Sequence, residues 1–221
     1  MRKILIRYFL YALAVLAGSF GLLILAYFEP EVMRFNKLET AGARASSESS
    51  PIELLQNLLL IASAGIFGWI AYRDRLRRPM ALAFVGLYCI FLIRELDYYL
   101  DFYAADNLWQ VLCALILSVL VVYLGRSRDR LSQGWRRSWP SAGLALIFGG
   151  LIILIPYAQL MGHEPFWQSI MGDEYVRAAK IITEELIELG GYTLITIGSG
   201  EFLYAWSRLP RTRKLHERRR K

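Results

Sequence analysis

The stretch Leu92-Ile93-Arg94-Glu95-Leu96-Asp97-Tyr98-Tyr99-Leu100-Asp101 puts four charged side chains within eight positions, directly after the apolar run Met80 to Phe91. On a soluble surface helix that density is ordinary. At the end of a membrane-spanning helix each charge is costly, and such charges mark binding sites or ion paths. At about 100° per residue, Arg94, Asp97, Tyr98 and Asp101 share one helix face, while Glu95 points away from it.

Two other apolar runs open with similar groups. Pro51 is followed by Glu53, Gln56 and Asn57, on a face that continues through Ala64 and Gly68. Glu184, Glu185 and Glu188 share a second face, which continues through Gly191, Tyr192 and Ser199. If the three faces converge, six carboxylates meet at most Arg94 and Lys180. Like charges a few ångströms apart in a half-buried site cannot all stay ionised, so protons or a cation must make up the balance. Asp97, Asp101, Glu184, Glu188 and Glu53 are therefore the candidate cation or proton binders. Glu185, Gln56, Asn57, Tyr98 and Tyr192 would support them, and Arg94 would balance charge or anchor an anion. A hard divalent cation accepts such carboxylate and amide oxygens, whereas a softer metal would want His or Cys. A retained proton is the other solution, suited to coupled transport or general-acid chemistry.

The elements that must position these groups follow from hydropathy. Of the 221 residues, 56% are hydrophobic, and the apolar runs are long enough to cross a hydrocarbon core, which takes about 20 helical residues. Alternating ten-residue segments of the β-barrel kind are absent. The expected class is all-α: a single six-helix transmembrane domain with spans at roughly Tyr8–Phe28, Ile52–Tyr72, Met80–Tyr98, Leu108–Leu124, Ala142–Met161 and Ala179–Trp206. The first is longer than a signal-peptide core and is read as an uncleaved helix.

Charge sets the orientation. The N-terminus, Arg73–Arg78, Arg126–Arg137 and Arg208–Lys221 hold twenty of the twenty-six basic residues, against Asp74, Asp129 and Glu217. The positive-inside rule puts these segments and both termini in the cytoplasm of a bacterial-type inner membrane. The net charge of +7 is then mostly topology. No nucleic-acid partner is expected, and the basic tail 207–221 is read as lying on anionic lipid. The outer segment 29–50, rich in Ser and Ala, is expected to be mobile. Phe166, Trp167, Ile170 and Met171 have the spacing of a short interfacial helix.

Other features receive packing interpretations. Cys89 and Cys113 fall mid-span as small apolar residues. Ala14/Gly18, Ala17/Gly21 and Ala64/Gly68 permit close helix approach, within the chain or in a homo- or hetero-oligomer. Ser199, between Gly198 and Gly200, has no histidine in reach and reads as helix packing. Arg94-Glu95-Leu96-Asp97 does not match the Arg-Glu-x-x-Glu element of iron permeases, and GxSxG, P-loop, GxGxxG and CxxC motifs are absent. Three function classes follow: cation or proton binding, transport or sensing; a periplasm-facing hydrolase or transferase on a lipid-linked substrate; and a non-catalytic subunit whose polar faces bind a partner.

Overall fold

The computed structural model describes residues 2–29 and 50–208, and among them every regular element is a helix. In chain order these are α1 (Arg2–Phe28), α2 (Pro51–Arg73), α3 (Arg78–Glu95), α4 (Asp97–Tyr103), α5 (Leu108–Arg126), α6 (Arg128–Ser138) and α7 (Ala142–Ile152). A π-helical segment (Ile153–Ala158) leads into α8 (Gln159–Met161), then α9 (Glu164–Met171), a 3-10 turn (Gly172–Glu174) and α10 (Arg177–Ser207). The segment expected to be mobile (29–50) and the basic tail lie almost wholly outside the described residues. The chain forms two compact units, Met1–Leu58 with Ile152–Thr193 and Leu59–Leu151 with Leu194–Lys221.

Among the described residues, four helical stretches are long and apolar enough to cross a membrane: Ile4–Phe28, Pro51–Arg73, Leu108–Arg126 and Ala142–Met161. In the first and third, no residue of the most apolar window is buried. A helix that is apolar all round and uncovered is stable in hydrocarbon, not in water. This is the composition of a multi-pass membrane protein.

Local sequence explains several boundaries. Pro51 opens α2, where its missing N–H is one the helix would leave unbonded anyway. Pro156 lies inside the Ala142–Met161 span without ending it, because the backbone widens to a π turn from Ile153 to Ala158 that accommodates the ring. The helix over Phe166 and Trp167 forms as its spacing predicts. The basic segment after α5, read from sequence only for its charge, is the helix α6. Its Leu131, Gly134, Trp135 and Ser138 fall within an arc of about 100°, and Gly134 and Ser138 are buried.

The second unit is built on rings and close backbone contact. Phe67 packs at ring-centroid distances of 4.7 Å from Phe84, 5.4 Å from Phe202 and 5.9 Å from Tyr88. Trp135 of α6 stacks on Phe84 at 6.0 Å. Where α7 meets α10, a Cβ on Gly143 would stand 2.6 Å from the Gly198 carbonyl oxygen, and one on Gly198 would stand 2.7 Å from that of Gly143. Ser199 is buried and donates to the Ile195 carbonyl at 2.7 Å. The Gly198-Ser199-Gly200 run thus contains a helix crossing.

One ion pair ties this unit together at the end where α2 turns into α3. Asp74 Oδ1 accepts from the backbone N–H groups of Leu76 and Arg77 at 3.0 and 3.2 Å. Its Oδ2 accepts from Arg77 Nη1 at 2.7 Å and from Trp206 Nε1 at 2.9 Å. Arg77 Nε donates to Ser138 Oγ at 3.1 Å, and that hydroxyl donates to the Gly134 carbonyl at 2.7 Å. The Arg77 and Asp74 side chains are only 8% and 12% exposed. Burial works to raise the Asp74 pKa, but the bonds from Trp206 and Arg77 and the Arg77 charge outweigh it and hold the carboxyl below its ordinary 3.8.

Two predictions follow from these contacts, both read by thermal unfolding in detergent. Gly198→Ala should cost about 1–3 kcal/mol by overpacking the crossing, whereas Gly200→Ala, where a Cβ meets nothing within 4 Å, should be neutral. Asp74→Asn should cost about 3 kcal/mol, because it leaves Arg77 buried without its counter-charge. The sign of the acid dependence is set by the lowered folded pKa: the carboxylate's stabilisation is complete above the unfolded value of 3.8 and is lost as pH falls through the folded one. The Asn variant should lack that part of the acid limb.

Candidate functional site

In the first unit, the polar groups opening α2 and α10 include local devices and a long-range contact. Glu53 is a local device. Its backbone N–H donates to Ser50 Oγ at 3.1 Å, and its Oε2 accepts from the Ser50 N–H at 3.3 Å. This is a reciprocal capping box, Ser-x-x-Glu with Pro at the first helical position. It gives Glu53, 5% exposed, a structural task at the helix start.

Gln56 makes the long-range contact. It is fully buried, and its Nε2 donates to the Glu185 carbonyl at 3.0 Å and to Glu185 Oε2 at 3.2 Å. Two acceptors facing one end of the amide fix its orientation, since a flip would set oxygen against oxygen. Gln56 Oε1 is then a buried acceptor with no hydrogen-bond partner among the described residues, and so is Asn57 Oδ1 on the neighbouring residue. Glu188, one turn beyond Glu185, is 4% exposed. Tyr192, one turn further, is also buried.

Glu184 has a different environment. Lys180 Nζ lies 3.4 Å from its Oε2, one turn back on α10. A Cβ on Gly162 would overlap its carboxylate, so the small residue after α8 makes room for that side chain. Of the residues expected on these two helices, the structure brings Gln56 and Glu185 into direct contact.

In the second unit, the Arg94–Asp101 stretch departs from the sequence expectation. The α-helix stops at Glu95, and Leu96, at φ −101° and ψ 14°, separates it from α4, which begins at Asp97. A continuous helical wheel therefore does not relate Arg94 to Asp97, Tyr98 and Asp101. Asp97 starts a helix, where a negative charge is favoured. Glu95, set apart by the wheel, is the more buried partner: Arg94 Nη2 lies 3.9 Å from its Oε1, with side chains 34% and 8% exposed. Asp101 Oδ1 is buried with no hydrogen-bond partner among the described residues. Of Tyr98 only the backbone is described.

Among the described residues, no group of three or more His, Cys, Asp and Glu side chains is arranged to hold a metal ion. The divalent-cation expectation gains no donor set here. Cys89 and Cys113 are free and half-buried, and Cys113 Sγ faces the Ile90 carbonyl at 3.8 Å. Glu201, deep in α10, is buried.

The Asp74–Arg77 pair was missed in sequence because it sits in a basic turn that reads as topology. A signal was nevertheless present: Asp74 is the one acid among Arg73, Arg75, Arg77 and Arg78, at i, i+3 from its partner.

The chain has no significant match among protein-family models, curated proteins or solved structures.

Gln56 is the residue on which the contact can be checked. Gln56→Leu should destabilise by about 1–2 kcal/mol, because the half-buried Glu185 acceptors lose the Gln56 amide donor. Gln56→Glu should cost more at neutral pH, placing a second carboxylate against Glu185. Chemical or thermal unfolding of the two variants gives the order.

Proposed function

We propose that this chain crosses a bacterial-type inner membrane six times with both termini in the cytoplasm. It binds or moves a proton or a small cation at a polar site open to the outer face. The two spans added to the four apolar ones are α3 and α10. At about 1.5 Å per residue, the 18 residues of α3 reach about 27 Å, close to the hydrocarbon thickness. The 31 residues of α10 exceed that thickness, leaving the turns around Glu184 and Glu185 near the interface. The cytoplasmic assignment of the arginine-rich ends rests on the positive-inside rule.

The observation that carries the functional reading is Gln56. A fully buried amide spends its donors on Glu185 and keeps an acceptor oxygen with no donor opposite it. A buried acceptor without a donor is costly, and the donors that would relieve it are a protonated carboxyl or a cation. Glu185 and Glu188 would carry the proton or meet the ion, with Gln56 and Asn57 supplying neutral oxygens. A proton suits this set better than a hard divalent ion, which takes six or more oxygens.

Reconstituted liposomes test it. Protein-containing vesicles should take up protons, reported by a trapped pH dye, or tracer sodium, faster than empty ones. Glu185→Gln and Glu188→Gln should each reduce the rate at least tenfold. Wild-type rates in both variants, or no rate above empty vesicles together with no sodium binding by calorimetry, would remove this function.

A further inference from the structure

The end of the second unit where α2 turns into α3 carries a concentration of exposed arginine. Arg73 and Arg75 lie at the end of α2 and in the turn that follows, Arg126 ends α5, and Arg128, Arg130 and Arg136 lie on α6, all six exposed. The hydrogen bonds of Arg77 to Ser138 on α6, and of Trp206 to Asp74, bring these elements to one end of the unit. The acids there are Asp74, already consumed by Arg77 and Trp206, and exposed Asp129. Every described basic residue of this unit is arginine.

That last fact separates this surface from simple topology. Either Lys or Arg satisfies the positive-inside rule. A guanidinium fork does what an ammonium cannot: it grips two oxygens of one phosphate in a fixed plane. The platform is also pre-set, since α6 is held from beneath by Trp135 on Phe84, and a Cβ on Gly134 would stand 3.0 Å from the Leu76 carbonyl oxygen. Trp69, Tyr72 and Trp139 are exposed at the same end, and the Arg73 guanidinium lies 4.4 Å over the Trp69 ring. Aromatic rings of this kind mark the level of lipid headgroups. We propose that the α6 arginine face, with Arg73, Arg75 and Arg126, binds the phosphodiester headgroups of anionic phospholipid in the leaflet it meets. The proposal rests on the membrane-spanning helices and not on the Gln56 site, so either can fail alone.

The test uses the full chain in detergent, with phosphatidylglycerol, phosphatidylcholine or inorganic phosphate added. Native mass spectrometry should show phosphatidylglycerol retained, and the unfolding temperature should rise by several degrees with it alone. A variant carrying Arg128→Gln, Arg130→Gln and Arg136→Gln should lose at least tenfold in phosphatidylglycerol affinity, with its lipid-free unfolding temperature unchanged because the three are exposed. If that variant does not fold, Arg75→Gln with Arg126→Gln serves the same comparison. Lysine at the same three positions should recover only part of the affinity. Equal retention of phosphatidylcholine, full competition by inorganic phosphate, wild-type affinity in the glutamine or lysine variants, or tighter binding of a short DNA duplex would each overturn the proposal.

Discussion

The Asp74–Arg77 ion pair is the contact on which the second unit depends. Two charges nearly removed from solvent are tolerable only if each is saturated with partners. The carboxylate meets two backbone N–H groups, a guanidinium and an indole; the guanidinium reaches the carboxylate, the Ser138 hydroxyl and, at 3.5 Å, the Arg137 carbonyl. One turn of chain thereby fixes the direction in which α3 leaves α2, the seat of α6 and the end of α10. Its all-or-none character matters: removing any one charged group leaves the other buried without compensation.

Elsewhere in that unit the helices are joined by shape. Facing glycines let the α7 and α10 backbones approach, and Phe67 sits among the rings of Phe84, Tyr88 and Phe202. In hydrocarbon this is the expected division of labour. Lipid tails are as apolar as leucine, so association depends on close packing and on the few polar contacts available. Ser63 and Thr196, whose hydroxyls meet at 3.0 Å, are one such contact.

In the first unit the polar groups do two kinds of work, and the difference decides which are candidates for function. Glu53 closes a helix start with Ser50, and Glu184 pairs within its own helix. Both have partners a few residues away in the chain. The Gln56–Glu185 contact joins residues 129 positions apart, and it leaves an unsatisfied acceptor in place of a closed network. A protein that keeps such an oxygen in its interior carries a standing cost that a proton or cation would relieve.

The sequence by itself determined the helical class, the positions of the four long apolar spans, the start of α2 at Pro51 and the short helix over Phe166 and Trp167. It did so because helix formation and membrane partition depend on hydropathy and local caps, which are properties of neighbouring residues. The Ser50-Pro51-x-Glu53 cap is also a local pattern, although Glu53 reads from sequence as a cation binder and the structure shows the cap. The break at Leu96 was not, since nothing in Arg94-Glu95-Leu96-Asp97 is a helix breaker; there the structure alone moves Asp97 from the end of one helix to the start of another. Nor could α6 be told from a basic loop, because what holds it is Trp135 on Phe84 and Ser138 under Arg77, contacts across 51 and 61 positions. Which of Gln56, Glu184, Glu185 and Glu188 meets another helix was likewise a tertiary decision. A helical wheel gives each residue's direction around its own axis, but only packing decides which faces are buried together and which buried oxygen is left without a donor.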